Sequence, residues 1–77
     1  MRNLLTYNPI GTKRFELQRF VRRMARHHVV FPDSCTKDWC KQKIRNRAKR
    51  MKYNIDPWQI SLLFDTSVTT ARAEIQN

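Results

Sequence analysis

The 77-residue chain contains one glycine, Gly11, and three prolines, Pro9, Pro32 and Pro57. Breaks in regular structure concentrate at such residues: glycine weakens helix interiors, and proline biases the residue before it away from helical geometry. The long stretches between them are predicted to be helical, and no segment alternates apolar and polar residues long enough to argue for a strand. The expected fold class is all-α, a small bundle of about four helices ending in a helix-turn-helix-like pair. It forms one domain over residues 1–77, with residues 1–11 as an N-terminal arm.

The first block is predicted to run from about Thr12, as N-cap, to His28. Leu17, Phe20, Val21, Met24 and Ala25 fall at i, i+3, i+4, i+7 and i+8, one apolar stripe. Arg14, Arg19, Arg22, Arg23 and Arg26 occupy the other faces, as a binding surface or as a solvated face that maintains solubility. Val29-Val30-Phe31-Pro32 reads as a short extended connection lidding the core.

The second block starts after Pro32, with Asp33, Ser34 or Thr36 as candidate caps. It ends near Tyr53-Asn54, where Asn54 is expected to adopt the left-handed conformation that closes a helix when glycine is absent. Half of the residues from Lys37 to Lys52 are Lys or Arg, and Trp39, Cys40, Ile44, Ala48 and Met51 recur among them at helical spacing. Trp39 fits either a core anchor or an exposed stacking platform for bases, with the core preferred in so small a domain. The apolar stripe is too short, and too interrupted by Lys43 and Arg47, for a membrane-surface helix.

In the third block, Asp56-Pro57 is a strong helix start, with Ile60, Leu63 and Phe64 inward on a helix ending at Phe64. A break at Asp65-Thr66 and a new cap at Ser67 would begin a second helix, Val68–Gln76, with Ala71 and Ile75 facing inward. The small Ser61 would let the two helices of this helix-turn-helix approach closely. Residues 60–75 are similar to the pattern LAxxFxVSxxAxxxRL near the C-terminus of the ImmA/IrrE family, with Phe64, Ser67, Thr70 and Ile75 matching or nearly matching. Met24–Pro32 is similar to the FAxxLLMP stretch that precedes it there, with one residue inserted. The resemblance covers about half the chain. It implies a truncated relative, of the kind carried by phages and other mobile elements, without the family's zinc peptidase activity, because no HExxH motif is present.

Cys35 and Cys40 are separated from His27-His28 by spacing that matches no common zinc finger or ribbon. The preferred reading makes Cys40 a small core residue and Cys35 a helix-entry residue, both reduced, with no metal or cofactor. His27 and His28 suit the negative end of a helix dipole. The six acids are scattered singly, no Ser-His-Asp or Cys-His arrangement has supporting spacing, and one glycine cannot build a phosphate cradle. No enzymatic activity is expected.

Charge carries the functional expectation. Sixteen Lys and Arg against six Asp and Glu give a net charge of +10, and a polyanion is the partner such an excess most readily accepts. The expected function is that of a small basic nucleic-acid-binding regulatory protein in the cytoplasm, with duplex DNA as its ligand. Arg22, Arg23, Arg26, Lys43, Arg45, Arg47, Lys49 and Arg50 are the candidate phosphate contacts. Thr69, Thr70, Arg72 and Gln76 are the candidate base readers on the last helix. The alternative is a phage-type inhibitor or adaptor that binds an acidic surface of a polymerase, nuclease or CRISPR effector. Oligomeric state is not encoded in any of these features.

Overall fold

The computed structural model describes residues 9–76. Three helices, rather than four, make up the described chain: α1 (Pro9–Val30), α2 (Lys37–Arg50) and α3 (Pro57–Gln76). No strand occurs among the described residues.

Helix α1 is longer at both ends than its expected span of 12–28. It begins at Pro9, a residue suited to a first turn because its fixed φ is helical and its missing N–H would have no partner there. Residues 9–11 of the expected arm thus belong to the helix, Thr12 is interior rather than a cap, and the rest of the arm lies outside the described residues. At the other end Val29 and Val30 remain helical, and the Phe31 amide still donates to the His27 carbonyl at 2.7 Å. The extended connection inferred there is absent. Pro32 restricts the residue immediately before it, so the helix reaches the edge of Phe31.

Helix α2 begins where Thr36 Oγ1 accepts the Trp39 amide at 3.2 Å. Its C-terminus is a Schellman closure: Lys52 N–H donates to Lys49 O at 3.0 Å and Tyr53 N–H to Ala48 O at 2.9 Å. The left-handed residue is Lys52, at φ 59°, and not Asn54. Tyr53 is half-buried against the core, and the motif puts the left-handed residue directly before that apolar contact. A Cβ in this conformation costs ~1–2 kcal/mol, and glycine's extra unfolded-chain entropy costs ~0.4–1 kcal/mol. Lys52→Gly should therefore stabilise the protein by about 0.5–1 kcal/mol and raise Tm by roughly 2–8 °C, measured by thermal denaturation.

Helix α3 overturns the helix-turn-helix. It runs unbroken for 20 residues, with Asp65, Thr66 and Ser67 inside it. No glycine or proline follows Pro57, and Ile60, Phe64, Val68 and Ala71 form one buried stripe across the supposed turn. A break would move Val68 and Ala71 out of register with Phe64. The start at Pro57 is as expected, but the Asp56 backbone carbonyl rather than its carboxylate accepts the Gln59 and Ile60 amides, while Gln59 Oε1 accepts the Asp56 amide at 3.1 Å, the returning half of a capping box.

The core joins Leu17, Val21, Met24 and Ala25 of α1, Cys40, Ile44 and Ala48 of α2, and the α3 stripe. Cys40 Sγ donates to Met24 O at 3.6 Å, while Arg47 lies over Phe20, so α2 runs back along α1. The most extensive packing is between α1 and α3.

Candidate nucleic-acid interface

Charge is distributed unevenly over this frame. Helix α1 has six Lys or Arg and one acid, α2 has seven and one, and α3 has one Arg and two acids. Where α1 and α2 adjoin, an open depression of about 810 Å³ is lined by Arg19, Arg22, Arg23 and Arg26 from α1 and by Arg47 from α2, with Phe20, His27 and Glu16 completing it. Five guanidinium groups thus share one concavity with a single carboxylate. Arg47 is held in place by Phe20, whose ring centroid lies 4.8 Å from its guanidinium carbon. A stacked guanidinium keeps its N–H edge available for phosphate oxygens.

Four of the expected phosphate contacts, Arg22, Arg23, Arg26 and Arg47, are therefore brought together. The other four are not. Lys43 and Arg50 lie one turn either side of Arg47 on its own stripe, but Arg45 and Lys49 are each two residues from it, about 200° around the helix, and point elsewhere. Arg19 and His27 belong to the depression and were not singled out as contacts; their i, i+4 and i+8 spacing with Arg23 is the signal that places all three on one face. Arg26 also pairs with Glu74 at 3.3 Å. Both side chains are more than half exposed, so the pair adds little stability and leaves Arg26 able to exchange partners.

The expected base readers fare differently. Thr69 Oγ1 donates to Asp65 O at 3.1 Å and Thr70 Oγ1 to Thr66 O at 3.2 Å. Their hydroxyl protons are committed to their own helix. Both threonines and Arg72 sit in the interior of a continuous helix rather than at the start of a recognition helix, and none lines the cationic depression. A second depression of about 700 Å³, between α1 and α3, is more apolar; Val21, Leu62, Leu63, Thr70 and Ala71 line it, and it shares Arg22 and Arg26 with the first.

Trp39 corrects a further expectation. It is 43% exposed instead of buried, with Lys43 Nζ 5.1 Å from its ring centroid. The core position at that turn belongs to its neighbour Cys40.

His28 is buried, packs 5.8 Å from the Phe64 ring, and donates from Nδ1 to the Cys35 carbonyl at 2.8 Å. Its role is to tie the α1–α2 connection to the core, a more specific role than the dipole placement that still suits exposed His27. Cys40 is fully buried, as its core assignment requires, and its Sγ also reaches Cys35 O at 3.7 Å. Cys35 precedes the Thr36 cap and is half-buried. No group of three or more His, Cys, Asp or Glu that could hold a metal occurs among the described residues.

Burial, and then the neighbouring Cys35, push the Cys40 thiol above its ordinary value of 9.0. Raising the folded-state pKa keeps this contribution intact below about pH 9 and removes it as pH climbs through the higher folded value. Urea unfolding should accordingly show wild type losing stability relative to Cys40→Ala as pH rises above about 9.

Comparison with known protein families, characterised proteins and solved structures gives no significant match. The likeness to the ImmA/IrrE pattern rests partly on a turn at Asp65–Ser67, where the chain is instead helical. No helix among the described residues is long and apolar enough to cross a membrane.

Proposed function

We propose that this protein binds nucleic acid through the sugar-phosphate backbone, using the α1–α2 face. The observation that supports this reading is the gathering of Arg19, Arg22, Arg23, Arg26 and Arg47 in one open concavity. Like charges held this close repel, and a polyanion relieves that repulsion while releasing its own counterions. With α3 continuous through Asp65, the described residues offer no helix-turn-helix to place a recognition helix in a groove, and binding through phosphates is largely independent of sequence. A regulatory role would then come from occupancy and from partners rather than from base reading.

The test is affinity for random duplex DNA, single-stranded DNA and RNA across a salt series. If all five arginines meet phosphates, log affinity on duplex DNA should fall against log salt with a slope of about −4.5. Absence of binding at low salt would remove this reading.

One observation favours a second reading, an adaptor or inhibitor that acts by protein contacts. Trp58 and Leu62 lie one turn apart on α3, 63% and 59% exposed, on a helix nearly free of cations. Neither residue lines the cationic depression, although Leu62 lines the α1–α3 depression, which shares Arg22 and Arg26 with it. Alanine at both positions should leave nucleic-acid affinity unchanged if the α1–α2 face is the contact surface.

A further inference from the structure

Trp39 has no role in a purely backbone-binding site, and its position suggests one. Trp39, Lys43 and Arg47 follow one another at i, i+4 and i+8, so they form a single stripe along α2. Arg47 is the α2 member of the cationic depression. From there the stripe leads past Lys43 to the indole over about 12 Å. At the ~3.4 Å rise of a stacked strand that distance spans about three to four nucleotides, and fewer if the strand is stretched.

The chemistry along the stripe is ordered. It begins with a guanidinium braced on Phe20, passes an ammonium 5.1 Å from the Trp39 ring centroid, and ends in an indole that is nearly half exposed. A cation over an exposed aromatic ring can serve a strand by exchange: the ammonium now over the Trp39 ring moves to a phosphate, and a base takes its place on the indole. In a duplex both faces of every internal base are covered by neighbouring pairs, leaving none for an indole outside the helix. A helix surface such as α2 can offer its ring only to a base that is already unpaired.

We propose that Trp39 is a base-stacking site and that the α1–α2 face takes single-stranded nucleic acid, with Lys43 and Arg47 leading its backbone into the cationic depression. This inference rests on the backbone-binding reading above, and it names the ligand class in place of duplex DNA. The exposed, sequence-tolerant ring selects unpaired bases without selecting which base.

The test compares wild type, Trp39→Ala and Trp39→Phe on oligothymidylate, oligouridylate and a blunt-ended duplex of random sequence. Trp39→Ala should weaken binding to the single strands by about tenfold with an unchanged salt slope, because stacking is lost and no cation is removed. Duplex affinity should change by less than about twofold, and Trp39→Phe should keep most of the single-strand affinity. In a Trp58→Phe background the remaining Trp39 fluorescence should be quenched by the single strands and not by the duplex. Quenching by only one of the two strands also supports the proposal and assigns it to DNA or to RNA. If Trp39→Ala binds all three ligands like wild type, or loses affinity equally on strand and duplex, stacking is overturned while a steep salt slope keeps the backbone reading. If wild type binds none of them at low salt, both fall.

Discussion

Replacing Arg23, Arg26 and Arg47 together with alanine should flatten the salt dependence of nucleic-acid binding by about 2.7 on duplex DNA, and by about 2.1 on a single strand, since each lost phosphate contact releases one counterion fewer. Over the decade from 1 M to 0.1 M salt, the duplex figure amounts to a loss of roughly 500-fold in relative affinity. The loss should be uniform across sequences. Arg26 gives up an exposed pair with Glu74 and Arg47 gives up its ring contact with Phe20, and neither is worth more than about 1 kcal/mol at the surface. Circular dichroism of the triple variant should therefore match wild type, separating lost contacts from lost fold. By contrast, Arg72→Ala should leave preferences among sequences unchanged, because its helix has no free N-terminal turn at Ser67 to place in a groove.

Phe64→Ala should have the largest effect on stability. The side chain is fully buried, sits against the His28 ring, and has Lys41 Nζ 5.9 Å from its centroid. It contacts groups from both other helices. Truncation of a buried phenylalanine costs about 3–5 kcal/mol, whereas 77 residues at ordinary specific stability supply only about 4–12 kcal/mol in total. Urea titration should show a loss of about 3–5 kcal/mol, and the variant should lose nucleic-acid affinity only in proportion to its unfolded fraction. Leu62→Ala, an exposed change on the same helix, should cost less than about 0.5 kcal/mol.

These contrasts show what the sequence could specify. The stripe Leu17, Val21, Met24, Ala25 and the start at Asp56-Pro57 were legible because a 3.6-residue period and a capping residue are local properties. Thr36 was legible as a cap for the same reason, though only among three candidates. The turn at Asp65-Thr66 was inferred from residues that are merely weak helix formers. Aspartate and threonine cost well under 1 kcal/mol each in a helix interior, too little to outweigh the continuous burial of Phe64, Val68 and Ala71.

Trp39 was misplaced because it lies at one edge of the α2 apolar stripe. Whether an edge residue is covered depends on where the neighbouring helices sit, and at this turn the core position belongs to Cys40, whose thiol meets Met24 O of α1. The cationic depression was half legible. The spacing of Arg19, Arg23 and His27 carried an alignment that the sequence reading did not draw, and nothing local places Arg47 beside them, since that depends on the register set where α2 runs back along α1.

Backbone amide chemical-shift mapping, with short oligothymidylate and a blunt duplex titrated into labelled protein at low salt, tests the central claim most directly. The account predicts perturbations concentrated from Arg19 to His27 on α1 and from Trp39 to Arg50 on α2, with the Trp39 indole signal moving only with the single strand. Perturbations centred on Thr69, Thr70 and Arg72, or no perturbation with either ligand, would contradict it.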